Sequence, residues 1–542
     1  MMNLDSRDFP PLPSQQPSQR PKEALPLSTQ LTSHQKRIRT TLNDLPNELL
    51  LLILDFLPNY EDPALRRTYP YDPEHERRCW LGNRSQYLAT LLPLSSTCHR
   101  LHSLVAEKLY SDYDSALASP YLFLRTVISN PNIARLVRSV SFQPDYVYHD
   151  GPRRKFRHPT VSDRGIIKSG LKALGLSGWK SWATHCNEGV NQEYILATIL
   201  MYTTNVKTVD YRRGYGVSVP QWLTLIKSVT SRNPFGQPHD FAHLQSVQID
   251  AQSLGSSQLA PLFRLPSLRH LRLENLEDLN TVEQISGTLP KWSLAPRSSS
   301  LEELSLPSCF VHSRNLAAIL NACHHLKVFS YKFPNDRSSR IPHHGLDLDP
   351  IFIHHPTVYT ALRASRSSLE KIEYMPAFCD HCENAADFNY SHRQGPLGSF
   401  LDFPRLSSVS GTLGAFVDVR RGPNATLADQ LPQAVTNIHV SIGCNVERDC
   451  ILSLEHLVET FAIHVPKLDM VSIHYLATQD YHSCCLLLNR VLDLFIESTV
   501  GCRILRHGTF KDEVVLSDGG RESSDETDSD ESSSDEWEED GE

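Results

Sequence analysis

No stretch of this sequence reads as a membrane span. The longest purely aliphatic run, residues 49–54, is far below the roughly 18 residues that a spanning helix needs. Residues 1–30 are polar and proline-rich and lack the apolar core, about 7–15 residues long, of a secretory signal. Cysteines are sparse and scattered, 12 in 542 residues, which suits reduced thiols rather than a disulfide framework. These absences lead to the expectation of a soluble chain of the cytoplasm and/or nucleus, with no membrane among its partners.

A basic stripe is missing too. The formal net charge is -9, but residues 512–542 hold 15 acidic side chains against Arg521, a net of -14. Residues 1–511 therefore carry about +5 (-9 minus -14), near neutral for that length, and no nucleic-acid partner is expected.

The motifs of common chemistries are also wanting. Gly214-Tyr215-Gly216 lacks the third glycine and the Lys-Ser/Thr ending of a phosphate loop. No Gly-x-Ser-x-Gly elbow occurs. Cys379-Asp380-His381-Cys382 offers one half of a zinc pattern, with His392 beyond it, but no second well-spaced pair follows, and Cys309, Cys323 and Cys444 are remote. The pairs His343-His344 and His354-His355 lack the spacing of helical ligands, and Cys323-His324-His325 falls where a helix should turn into a strand. The adjacent acids Glu302-Glu303 are ordinary charged positions of a strand. No enzyme, metal or cofactor is expected.

What is present is order along the chain. Its length exceeds that of one ordinary core, so several domains or an extendable repeat array are expected. Residues 1–40, with Pro10-Pro11-Leu12-Pro13 and Arg20-Pro21, have too little apolar surface to offset their ordering entropy and read as a disordered tail. Residues 511–542 are Ser/Asp/Glu low complexity, and such charge density reads as disorder as well.

Between the tails, structure is expected to begin near residue 41. Asn43 or Asp44 can cap a helix whose first turn holds Pro46 and Glu48. Leu45, Leu49, Leu52, Ile53 and Phe56 recur at the spacing of one helical face, and Pro58 ends the run. Residues 59–86 are polar, with Pro63, Pro70 and Pro73, and read as a surface excursion. Helix is expected again over 87–92 and 95–110.

Leu45-Pro46-x-Glu48-Leu49 leading to Ile53-Leu54, then Leu94, Cys98-x-Arg100-Leu101 and Leu109-Tyr110, resembles an F-box over residues 42–113. Two features depart from that family: the long insertion, and Tyr110 where many members have Trp. The resemblance implies docking on a Skp-family adaptor, and through it on a cullin, with Leu45, Pro46, Leu49, Ile53, Leu57, Leu94, Cys98 and Leu101 serving partly internal packing and partly the adaptor.

From residue 130 the phrase apolar-x-x-apolar-x-apolar returns. It starts at Val137, Val206, Leu244, Leu268, Leu301, Leu326, Leu369, Val435 and Leu468, with a weaker copy at Leu406 in which Gly411 takes the last apolar place. Each copy reads as a strand with period-two burial. Helical stretches lie between them, at 193–201, 221–230, 315–322, 358–363, 451–463 and 485–496, which argues for parallel pairing in a solenoid or an open sheet. Copy starts are 24 to 69 residues apart, so the longer gaps should hold insertions. This part is similar to the degenerate leucine-rich-repeat region of many fungal F-box proteins.

The expected fold is α+α/β: a small helical F-box module at 41–113, then an irregular α/β leucine-rich-repeat-like solenoid over 130–510, with disordered termini. The resemblance implies the substrate-recognition subunit of an SCF-type cullin-RING ubiquitin ligase, binding an unknown protein substrate. The alternative is a non-degradative interaction scaffold with the same parts.

Overall fold

A computed structural model describes residues 42–56, 73–143, 159–188, 192–212, 220–231, 240–252, 254–277, 292–333, 354–376, 396–417, 426–442, 447–476, 481–496, 498–507 and 514–517. The proline-rich tail, Leu57, the insertion up to residue 72, the Cys379–Cys382 motif with His392, and the acidic stretch from 518 lie outside these residues. The chain divides into two compact units, Met1–Phe56 and Leu57–Glu542. The division falls inside the 41–113 segment that the sequence treats as one module.

In the first unit a single 3-10 turn, Leu42–Asp44, precedes helix α1 (Asn47–Phe56). The second unit opens with α2 (Pro73–Ser95) and α3 (His99–Ser111). Of the surface excursion expected over 59–86, residues 73–86 are helical and continuous with the helix expected at 87–92. Pro73 begins α2, where a missing N–H costs nothing, so it starts a helix rather than breaking one. The single helix expected over 95–110 is also divided. Ser95 Oγ and Thr97 Oγ1 donate to the carbonyls of Leu92 (2.7 Å) and Leu94 (2.8 Å), closing α2. Cys98 then caps α3, its Sγ accepting from the Leu101 amide at 3.5 Å.

Among the described residues thirteen strands follow in one sheet, arranged in chain order. They are β1 (Asp112–Asp114), β2 (Ser139–Phe142), β3 (Thr208–Tyr211), β4 (Ser246–Asp250), β5 (His270–Glu274), β6 (Glu303–Leu306) and β7 (Val328–Lys332). After them come β8 (Lys371–Met375), β9 (Ser408–Thr412), β10 (Asn437–Ile442), β11 (Met470–Leu476), β12 (Gly501–His507) and β13 (Val514–Ser517). The first twelve are parallel, and β13 runs antiparallel to β12. All ten copies of the phrase become strands, β2 to β11. All six helical stretches expected between them are helices, and the 69-residue gap before β3 holds two more, Val161–Ala173 and Trp179–Glu188.

Pairing keeps the phrase in step from strand to strand. Val140 pairs with Val209, Val209 with Val247 and Val247 with Leu271, and the row runs on through Ile438, Val471 and Cys502. Every one of these residues is buried, as are the entry residues Leu244, Leu268, Leu326 and Leu468. At each entry from β3 to β11 two consecutive amides share one carbonyl of the preceding copy: Lys207 and Thr208 both donate to Arg138, and Arg269 and His270 both donate to Gln245. Such shared bonds satisfy the backbone where the chain turns from its crossover into the sheet. The entry is itself patterned, because Leu244, Leu268, Leu406 and Leu468 each donate to the carbonyl of a buried residue three earlier: Phe241, Leu265, Phe403 and Val465.

Gly411 explains the weak copy at Leu406. It pairs with Tyr374 and Val440 at φ 152°, and any Cβ there would collide with the Tyr374 carbonyl. Three strands fall outside the ten copies: β1 and β13 lie beyond the expected boundaries of 130 and 510, and β12 lies inside them unrecognised. β1 continues directly from α3, so its Tyr110-x-x-Tyr113 spacing is hidden behind a helical pattern. β12 has Thr499 and Cys502 where other copies have aliphatic residues. β13, in the segment assigned to the tail, carries the only apolar run there, Val514-Val515-Leu516.

Candidate docking faces

Two surfaces offer chemistry to a partner. The first is α1. Its first intrahelical bond runs from the Leu50 amide to the Pro46 carbonyl at 3.1 Å, and Glu48 stands in the first turn. Leu50 and Leu54, one turn apart, are 2% and 3% exposed. Leu49, Leu52, Ile53 and Phe56 recur three and four residues apart on another face and are 46%, 51%, 39% and 79% exposed. The stripe evident in the sequence is therefore the outward one. Large apolar side chains contiguous on a surface in this way are a mark of interaction sites.

Of the eight residues that the F-box resemblance singles out, Pro46, Leu49 and Ile53 are exposed in the first unit, and Leu45 is half-buried there. Leu57 lies outside the described residues. Leu94 at the end of α2 and Cys98 at the cap of α3 are half-buried, whereas Leu101 is buried with Leu91 and Val105 where α2 and α3 pack. Leu101 thus serves the interior of its helix pair. Tyr110, near the end of α3, packs partly buried against the core of the sheet, and Arg84 of α2 reaches Asp112 of β1 at 3.2 Å.

The second surface is the polar face of the sheet, built from the residues that alternate with the buried rows. Serines and charged residues share it, with Ser141, Ser305, Ser330, Ser410 and Ser472 at equivalent positions on five strands, Ser330 and Ser410 buried. Sequence reasoning located the strands and passed over this face, although the serine at alternate positions was its signal. Across β4 to β6 it dips into a depression of about 230 Å³ lined by Ser246, Gln248, His270, Arg272, Glu303 and Ser305. Charges beside it are paired: Glu274 accepts from Arg272 Nε (2.7 Å) and Gln248 Nε2 (3.0 Å). Farther along, Ser330 Oγ (2.6 Å) and Lys332 Nζ (2.8 Å) both meet Glu373. Burial opposes ionisation of that carboxyl, but the two hydrogen bonds outweigh it and hold it below the usual carboxylate range.

Burial pushes the thiols of Cys186, Cys323 and Cys502 up to about 12 and raises that of Cys309 as well, the reverse of what a nucleophile needs. Among the described residues no three His, Cys, Asp or Glu side chains gather as metal ligands, and no helix is long and apolar enough to cross a membrane. No protein-family model and no curated protein matches the chain.

Proposed function

We propose that the chain is an F-box-type receptor subunit. In this reading α1 docks a Skp-family adaptor of a cullin-RING ubiquitin ligase, and the sheet, as an irregular leucine-rich-repeat-like solenoid, holds a target protein. The observation that carries it is the exposed apolar stripe of Leu49, Leu52, Ile53 and Phe56 immediately after Leu45-Pro46. A few such anchors supply most of the energy of a protein interface.

The strand order supports the solenoid half. A doubly wound sheet reverses its order at a switch point, where ligands bind. Here every described strand lies beside its predecessor, as in arrays whose units contact mainly their neighbours. The serine-lined face then offers hydroxyls and paired charges to a protein surface. The reaction would be promoted by proximity, raising the effective concentration of a target lysine near a ubiquitin-charged enzyme, with no bond made or broken on this chain.

Affinity purification of the full chain tests the reading. Adaptor and cullin should accompany the wild type. Leu49→Asp combined with Phe56→Asp should weaken adaptor binding by at least ~30-fold, the loss of about 2 kcal/mol of anchoring. Adaptor without cullin would favour the non-degradative scaffold. A wild type that captures no adaptor would sink the docking role of α1.

A further inference from the structure

The polar face of the sheet carries opposite charge at its two ends. Along β3 to β6 its positions hold Asp210, Asp250, Glu274 and Glu303 against Arg212 and Arg272, a net of -2 (two minus four). Along β7 to β12 they hold Lys332, Lys371 and Arg503 against Glu373, a net of +2 (three minus one). Histidines are outside both sums.

Within each half some charges offset one another. Arg212 lies 3.5 Å from Asp210, Arg272 2.7 Å from Glu274 and Lys332 2.8 Å from Glu373. What is left differs in sign. Asp250 pairs in register with Glu274, and like charges so placed repel. Glu303 pairs in register with His270 on the wall of the 230 Å³ depression. Among the described residues Glu303, Lys371 and Arg503 are in no ion pair.

The basic half forms a patch. Lys332, Lys371 and Glu373 all act on the His439 imidazole, and its ring lies 4.3 Å from that of His474. Ser472 pairs with His439 on one side and with Arg503 on the other, so Arg503 stands two strands from His439 in the same row. Among the described residues no carboxylate except Glu373 occupies this face from β7 to β12.

A surface polarised in this way fits a ligand that carries both signs at a set spacing. Five strand-to-strand steps, roughly 24 Å at about 4.8 Å each, separate β5, in the middle of the depression, from β10. An extended chain covers that distance in about seven residues.

We propose that the sheet holds its target by an extended segment that crosses the strands, with a lysine or arginine in the β4–β6 depression and acidic residues about four to ten positions away, over Lys371, His439 and Arg503. The inference rests on the reading of the sheet as the target-holding surface and adds the chemistry of the target. Glu303 meets the cation, and the hydroxyl oxygens of Ser246 and Ser305 accept its remaining hydrogen bonds. Arg272, which also lines the depression, is already offset by Glu274. A nucleic acid, negative along its whole length, would be repelled by the β3–β6 half.

Selection from a displayed library of random peptides about 14 residues long, with the full-length protein as bait, tests this. Peptides that join a lysine or arginine to an aspartate or glutamate about four to ten positions away should be enriched at least ~10-fold over the input. Lys371→Glu with Arg503→Glu should remove the acidic preference and keep the basic one. Glu303→Gln should do the reverse. Both variants should keep the wild-type melting curve. A fluorescein-labelled copy of an enriched peptide should bind the wild type at least about tenfold more tightly than either variant, and the gap should shrink near ~1 M salt. Enriched peptides without charge preference, with one sign alone, or with preferences that both variants leave unchanged would overturn the proposal while the sheet remains a target surface. An absence of enriched peptides would overturn it together with that reading of the sheet. Capture of the adaptor by α1 is measured separately and stands or falls by itself.

Discussion

Leu49 and Leu50 are neighbours in sequence but lie on different faces of α1, one 46% exposed and the other 2%. Their side chains point about 100° apart, so one helix packs and presents apolar surface at once. Leu50→Ala should cost about 2–5 kcal/mol, as core truncations do. Leu49→Ala, an exposed change, should cost about 0.5 kcal/mol or less. Hydrogen exchange of the peptide spanning residues 47–56 reads both variants, and equal losses of protection would reverse the assignment of faces.

How much of this was legible in the sequence depends on what a pattern encodes. The ten phrases located ten strands because alternation reports burial directly. Strand order was left open between solenoid and open sheet, since alternation says nothing about which neighbour a strand chooses. The stripe Leu49, Leu52, Ile53, Phe56 was visible, but not its outward direction: α1 has leucine or isoleucine at six consecutive positions, 49–54, so either face could pack. Which of the eight F-box positions pack inward, as Leu101 does, was not legible, because a motif records which residues recur together and not which side they face.

Gly411 holds a place that no other residue fits without displacing the β8 backbone. Gly411→Ala forces a Cβ against the Tyr374 carbonyl at a φ of 152°, and a loss of at least ~2 kcal/mol is expected. Gly165, inside the helix Val161–Ala173, has nothing within 4 Å of a Cβ. Gly165→Ala should therefore stabilise by about 0.5–1 kcal/mol. Thermal melting of both variants beside the wild type separates the two cases by sign.

His439, on the polar face of β10, should make stability depend on pH. Burial holds its imidazole below the usual range against the pull of Glu373, with Lys332 and Lys371 adding to the depression, and the His474 ring lies 4.3 Å away. A histidine depressed in the fold stabilises it while neutral. That contribution is complete above the unfolded value, about 6.5, and is lost as pH falls through the lower folded value. The melting temperature of the wild type should therefore fall further between pH 7.5 and pH 5 than that of His439→Gln. A constant difference between the two across that window would remove the case for a depressed imidazole.

The passage from α3 into β1 leads to a prediction about where the chain tolerates a cut. No loop separates the two, because Asp112 both ends α3 and begins β1. Tyr113 lies flat on Phe123, ring centroids 4.0 Å apart at 11°, and the Arg138 amide donates to the Ser111 carbonyl at 2.7 Å. Tyr113 also begins the buried row that Val140 continues. A chain beginning at residue 57 keeps these contacts, whereas one beginning at 115 loses α2, α3 and β1 and leaves β2 as a bare edge. Loss of the buried Tyr113 alone is worth about 3 kcal/mol, in the range of aromatic truncations. The shorter chain should melt several degrees lower, exchange faster across Ser139–Phe142 and associate through that edge. Matching melting curves for the two chains would mean that α2 and α3 are accessories to the sheet, and a helical module ending at residue 113 would then be the better division.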